Sequence, residues 1–229
     1  NSFGGTLSGP ITVNGILTLA LTGEGNQAIT SNISGSGALT QNGVRLDTLT
    51  YLSGTNTYTG PTTIASSGTL YGALKFTNRV SLYNADTGSW TADKIIVNPV
   101  AVAVFAVGGA GQFTSADIET LAGLGTDTGG FMNGSFIGLD TSSGSTSCSS
   151  VIGNPNGGAN VLGINKFGNN TLTLSGDSTY TGQTRIYRGT LRVSSINSVV
   201  GGAASSNLGA PKTVADGTII MGLYGQTGT

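Results

Sequence analysis

Leu174–Leu191 reads LSGDSTYTGQTRIYRGTL, and Leu52–Leu70 reads LSGTNTYTGPTTIASSGTL. With Leu52 aligned on Leu174, nine of the first thirteen positions are identical. One extra serine, Ser66 or Ser67, then precedes Gly68-Thr69-Leu70, which matches Gly189-Thr190-Leu191. An internal repeat of this kind governs the architecture and outranks local propensity.

Around and within each copy, residue type alternates with a period of two and then turns. Leu172 and Leu174 face one way, while Thr171, Thr173 and Ser175 face the other, which is strand alternation. Ser175-Gly176-Asp177 and Asn169-Asn170 are turn chemistry. Thr179-Tyr180-Thr181 is β-branched and aromatic, and Gly182 breaks it. Thr184-Arg185-Ile186 and Thr190-Leu191-Arg192-Val193 are further short strands, with Ile186, Leu191 and Val193 assigned to the interior. A unit of a few short strands buries no core face alone, so it has to stack on neighbours.

Both copies resemble the autotransporter-associated β-strand repeat, also called the passenger-associated transport repeat. Its signature runs LTLSG-x-NTYTG-x-TTI and then GTL. LTLSGDSTYTGQTRI…GTL at 172–191 follows it well, and LTYLSGTNTYTGPTTI…GTL at 49–70 follows it with Tyr51 displacing the Thr-Leu rhythm. The resemblance implies a right-handed parallel β-solenoid that is exported and belongs to a longer polypeptide. It also admits a passenger of the classical autotransporter kind, whose expected translocator barrel is not among these residues.

The 229 residues carry 39 Gly and 5 Pro, 8% charged residues and a net charge of −1. Sparse charge with moderate hydrophobicity excludes charge-driven disorder. Richness in Thr, Ser, Asn and Gly suits short strands and tight turns, and suits helices poorly. A near-neutral chain lacks the basic face that nucleic acid demands. Lys166, Arg185, Arg188 and Arg192 make one locally basic stretch. It reads first as a solvated outer strand face and second as an acidic-glycan contact. Ile95–Val107 is broken by Asn98 and Pro99, so no membrane span is expected.

Residues 1–50 read as stacked strands, including Ile11-Thr12-Val13 and Leu17-Thr18-Leu19-Ala20-Leu21. Val80-Ser81-Leu82-Tyr83, Ile95-Ile96-Val97 and Val100–Phe105 continue the pattern, the last with apolar residues on both faces, as in a covered strand. Thr114–Leu124 carries the chain's one helical signal. Thr114 caps its start, Asp117 reaches back, Ile118, Leu121 and Ala122 form its apolar stripe, and Gly125 suits its exit. Residues 126–165 are the least patterned and are expected to form a loop or excursion. Leu208-Gly209-Ala210-Pro211 and Thr218-Ile219-Ile220-Met221 read as further rungs. Gly225–Thr229 show no capping pattern, so head-to-tail stacking follows as an expectation.

Chemistry is hard to place. The chain has no histidine, which removes Ser-His and Cys-His arrangements. Of the ten carboxylates, only Asp117 and Glu119 lie close in sequence, and the start of a helix accounts for them. Asp127-Thr128-Gly129 superficially matches an aspartic-protease triplet, but it occurs once and reads as a turn. The lone Cys148 has no disulfide or zinc partner and reads as a small buried residue, with a reactive thiol or intermolecular crosslink as the alternative. Gly157-Gly158 and Gly201-Gly202 read as turns. Tyr51, Tyr58, Tyr180 and Tyr187 are candidate sugar platforms, although the equivalence of Tyr58 and Tyr180 favours rung-on-rung packing.

The sequence therefore predicts an all-β chain: one right-handed parallel β-solenoid domain over 1–229, with a short external α-helix near 114–124. Repeat copies lie at 49–70 and 171–191, with an excursion at 126–165, in a module of a longer exported chain whose signal and anchor lie elsewhere. At ~20 residues per rung it would form about eleven rungs and a rod on the order of 50 Å. The expected function is structural: a cell-surface or extracellular module stacking head to tail with copies or neighbouring modules. An adhesin rod touching extracellular glycans through the excursion is the alternative, and a carbohydrate-active enzyme comes third. No catalytic, cofactor-binding or metal-ligating residue is assigned.

Overall fold

A computed structural model describes residues 5–20, 25–43, 49–66, 72–199 and 205–222. Its backbone is organised by one long sheet of nine strands, each pairing in parallel with the next: 6–7, 27–29, 50–52, 73–76, 102–106, 135–140, 162–167, 184–186 and 219–221. Consecutive strands of the chain return to this sheet after each excursion around the coil, so they stack in sequence order. A second sheet of five strands (16–20, 38–43, 62–66, 95–97 and 130–131) forms another wall over the first coils. A third sheet of three strands (146–148, 171–174 and 190–192) serves the later coils. Strands 11–12 and 33–34 pair as a small fourth sheet.

Parallel pairing keeps each side-chain column on one face for the length of the rod. One inward column of the long sheet runs Leu7, Ile29, Leu52, Phe76, Phe105, Leu139, Lys166, Ile186 and Met221. Within it the Phe76 and Phe105 rings stack at 5.6 Å. Its neighbour runs through Leu74, Ala103, Ile137, Ile164, Thr184 and Ile219. In the five-stranded sheet, Leu19, Gln41, Ile64, Val97 and Phe131 share the facing inward column. The buried apolar members of these columns form one continuous core.

The repeat is a corner of this coil. Tyr58 Oη lies 2.6 Å from Thr62 Oγ1, and Tyr180 Oη lies 2.8 Å from Thr184 Oγ1. The Thr57 and Tyr58 amides both donate to the Ile33 carbonyl, as the Thr179 and Tyr180 amides do to that of Ile152. Ile33 in turn donates to Asn56 Oδ1, and Ile152 to Ser178 Oγ. Gly54 and Gly176 sit where a Cβ would drive into the carbonyls of Ser31 and Ser150 in the coil before, so glycine is required by close approach. The local structure is conserved between the copies, but its position around the coil is not. In the first copy Leu52 lies on the long sheet and Ile64 on the five-stranded sheet; in the second, Leu174 lies on the three-stranded sheet and Ile186 on the long sheet.

Three sequence expectations are corrected. Residues 126–165 are no excursion: they include the strands 130–131, 135–140, 146–148 and 162–167, and the second and fourth of these are fully buried members of the long sheet. Up to its terminal Asp140, Ser135-Phe136-Ile137-Gly138-Leu139 is apolar or small on both faces, so it lacks the alternation by which an exposed-face strand is recognised. Among the described residues the long sheet holds nine rungs, against the expected eleven or so. Only twenty residues separate Asn165 from Arg185, but thirty-five separate Arg185 from Ile220. Eight steps of ~4.8 Å give a stack of roughly 38 Å. Val80–Tyr83 is no strand, since the chain there makes short 3₁₀ turns over 79–81, 83–85 and 87–89.

The helix is present at Ser115–Ala122, with Thr114 and Asp117 forming a reciprocal capping box and Gly123, rather than Gly125, at its end. Ile118, Leu121 and Ala122 join the core. Asp117 also receives Arg79 at 3.0 Å, which ties the helix to the 3₁₀ turns. A second helix of one turn, Val214–Gly217, was not signalled by an apolar stripe. The Gly68-Thr69-Leu70 tail of the first copy and the Gly225–Thr229 end lie outside the described residues.

Candidate functional site

Outward columns of a solenoid sheet normally meet solvent, but on the long sheet they build a second apolar cluster. Leu49, Ala73, Val102, Val104, Phe136, Phe167 and Tyr187 form it, with Tyr51 at its border. Gly138 and Gly163 make room within it: a Cβ at Gly138 would press on Val104 and Phe167, and one at Gly163 on the Phe136 ring. Phe167 and Tyr187 stack in nearly parallel planes at 4.8 Å, and the Arg185 guanidinium covers the Phe136 ring at 4.1 Å.

Charge enters the cluster as a pair. Lys75 Nζ lies 3.0 Å from Asp140 Oδ2, with both side chains under a tenth exposed. The same ammonium sits 4.9 Å from the centre of the Tyr51 ring. Burial works against ionisation of Asp140, but the Lys75 charge and the Ser142 amide at 2.7 Å outweigh it and hold the carboxyl below its usual range. Burial raises the Tyr51 phenol, Asp140 adds to the rise, and Arg188 and Asn26 oppose it. That phenol is therefore a neutral donor near all three groups.

These side chains border a groove of about 240 Å³, lined by Asn26, Leu49, Tyr51, Asp140, Ser142, Phe167, Gly168, Asn169, Tyr187 and Arg188. Asp140 and Phe167 are register partners at the ends of their strands, and Tyr187 follows the next strand. Gly168, with φ +76°, and Gly189, with φ +70°, then turn the chain toward the three-stranded sheet, leaving the groove open at its edge. Asp140 is the one carboxylate among the described residues lining the groove, and glycoside hydrolysis uses two. The groove can hold a hydrogen-bonding ligand against aromatic edges.

The residues singled out from sequence separate clearly. Tyr58 and Tyr180 are interior corner residues, 2% and 0% exposed, so they offer no sugar platform. Tyr51 and Tyr187 both reach the groove. The basic stretch is no uniform solvated face: Lys166 points inward and is fully buried, and Arg185 is buried on Phe136, while Arg188 and Arg192 are exposed. Lys166 Nζ donates to the carbonyls of Phe167, Gly168 and Arg188 at 2.6, 2.7 and 3.1 Å. Burial nevertheless pushes its pKa down to about 8, with Asp140 opposing. Cys148 is buried on the inward side of the three-stranded sheet, where burial pushes its thiol up. Asp117 is a cap and ion-pair partner. Asp127 is an exposed loop residue bonded by Asn156. Phe167, Asp140 and Asn26 escaped the sequence reading, because nothing in their local pattern says that the outer face is covered.

Parallel ladders on successive walls of one coil define a parallel β-solenoid. Within it, residues 48–71 and 164–193 match the passenger-associated-transport-repeat family. The chain thus carries two autotransporter-associated repeats, of a kind that points to export. No curated protein and no solved structure matches it. Among the described residues, no helix is long and apolar enough to cross a membrane.

Proposed function

We propose that the chain is a structural, non-catalytic module of a cell-surface or extracellular fibre, stalk or filament, which stacks head to tail with copies of itself or with neighbouring modules. One observation carries this reading. Eight large apolar side chains are exposed among the described residues, and six belong to the first and last coils: Leu7, Ile16, Ile196, Val214, Ile219 and Met221. Leu7 and Met221 are the first and last members of the same inward column, so a further coil at either end would bury what is now exposed. The far edge of Ile219–Met221 pairs with no described strand, leaving backbone groups that template another strand. A contact of this head-to-tail kind does not close on itself and gives an open filament.

Cryo-electron microscopy of the purified protein without added ligand tests the reading. Filaments with an axial repeat of one chain and a strand ladder crossing each junction are expected. Replacing Ile219 and Met221 together by lysine should disperse them while the remaining coils stay folded. Monodisperse short rods at all concentrations would overturn it.

A second reading, a passenger rod that contacts extracellular carbohydrate, is supported by the groove on the long sheet. The 126–165 segment gives it no support as a binding loop, being part of the solenoid wall.

A further inference from the structure

We propose that the groove on the outer face of the long sheet binds a short saccharide bearing a carboxylate, with Arg188 receiving the acid and Tyr51, Asn26 and Asn169 receiving the hydroxyls. This deepens the second reading above and does not depend on end-to-end stacking.

Three observations converge on this ligand class. The first is size: about 240 Å³, partly open to solvent, suits one to two sugar rings. The second is the lining. Phenols, amides and a serine alternate around the edges of Phe167 and Tyr187, a mixture of donors and acceptors matched to a ring of hydroxyls. A peptide in extended form would instead seek an open strand edge or an apolar pocket, and the strands beneath the groove are paired on both sides.

The third observation is charge. Asp140 is neutralised by Lys75, so it adds no net repulsion. Arg188 is exposed at the groove and has no ion-pair partner among the described residues. Lys166 lies directly behind, its ammonium bonded to the Arg188 and Gly168 carbonyls. The field over the groove is therefore positive, and a planar guanidinium matches a carboxylate through two parallel hydrogen bonds. Arg192, also exposed, lies off this site among the Ser and Thr hydroxyls of the three-stranded sheet, on a flat open face lined by Ser147, Thr171 and Thr173. It provides an internal control for diffuse attraction.

The full chain should be titrated with digalacturonate, with the uncharged digalactose and with a free dipeptide, following amide shifts by NMR. Saturable digalacturonate binding is expected, with shifts centred on Tyr51, Ser142, Asn169 and Arg188. Digalactose and the dipeptide should bind about tenfold more weakly or worse, a difference of roughly 1.4 kcal/mol. Arg188→Gln should weaken digalacturonate about tenfold without changing the unfolding midpoint, since the side chain is exposed; Arg192→Gln should leave the affinity unchanged. Tyr51→Phe separately tests the phenol and should cost a few-fold. Equal losses in both arginine variants would reduce the interaction to diffuse charge. Equal affinity for the dipeptide would make the site a general carboxylate receptor, and absence of saturation would remove it altogether. Each of these three outcomes overturns the proposal.

Discussion

Tyr180 Oη and Thr184 Oγ1 meet at 2.8 Å inside the solenoid, four residues apart along a chain that turns a corner between them. Tyr58 and Thr62 repeat the contact at 2.6 Å, where Tyr83 Oη adds a further bond to Thr62 at 2.9 Å. The corner thus closes around a satisfied polar pair with a large ring filling its angle. Both partners are buried, so neither hydroxyl has water as an alternative.

Tyr180→Phe should lower stability by about 1 kcal/mol, because the Thr184 hydroxyl loses its partner. Tyr180→Ala should cost about 3–5 kcal/mol by emptying the corner. Tyr180→Phe combined with Thr184→Val should recover most of the first loss, since both polar groups then leave together. Urea midpoints for the three variants decide this. If the double variant is no better than Tyr180→Phe, the hydrogen bond is not what holds the corner.

How legible this was from sequence depends on what the two copies share. They share the corner, because Gly54 and Gly176, Tyr58 and Tyr180, and Thr62 and Thr184 are fixed by contacts within two adjacent coils. The capping box at Thr114 was legible for the same reason, its partners being three residues apart. The groove was not. Asp140, Phe167 and Tyr187 are brought together by register across three coils of unequal length, and no local pattern encodes that length. Lys166 shows the limit most clearly. Its charge suggested an outer face, whereas its place between Leu139 and Ile186 turns it inward. Its long side chain then carries the ammonium to carbonyls at the turn.

Lys166 also predicts an alkaline signature. Its pKa falls from 10.5 to about 8 on folding, so between those values the unfolded chain holds more protons, and stability should rise with pH. Above pH ~10 the sign reverses. Burial raises Tyr58 and Tyr180 well above the ordinary phenol and Tyr83 to about 12, so unfolded phenols ionise first and stability falls. Thermal melts from pH 7 to 11 should pass through a maximum. Lys166→Met should lose the rise and keep the fall; a rise persisting in that variant would exonerate the lysine.

The Lys75–Asp140 pair should behave as a buried ion pair whose halves cannot be separated. Lys75→Met leaves a carboxylate in an apolar cluster and should cost about 3–5 kcal/mol at neutral pH, whereas Lys75→Met with Asp140→Leu should recover much of it. The pH response supplies a second readout. In the parent chain Asp140 is held low, so its contribution is present above the unfolded value of ~3.9 and lost as the pH falls through the folded value. Without Lys75, burial dominates and raises the carboxyl, so mild acidification should stabilise the variant. A midpoint in Lys75→Met that falls on acidification from pH 7 to 5 would contradict this account.

Gln41 offers the opposite test, a residue whose removal should help. It occupies the inward column between Leu19 and Ile64, is fully buried, and neither its amide nitrogen nor its oxygen has a hydrogen-bond partner among the described residues. A buried, unpartnered polar group costs roughly 1–3 kcal/mol. Methionine has nearly the same length and volume and enough freedom to fill the same space. Gln41→Met should therefore raise stability by about 1 kcal/mol or more, seen as a higher urea midpoint with an unchanged slope. Gln41→Ala serves as the control: it also removes the orphaned amide but opens a cavity, so it should fall below Gln41→Met by about 2 kcal/mol or more. If Gln41→Met destabilises the chain, the amide is held by interactions that matter to the coil.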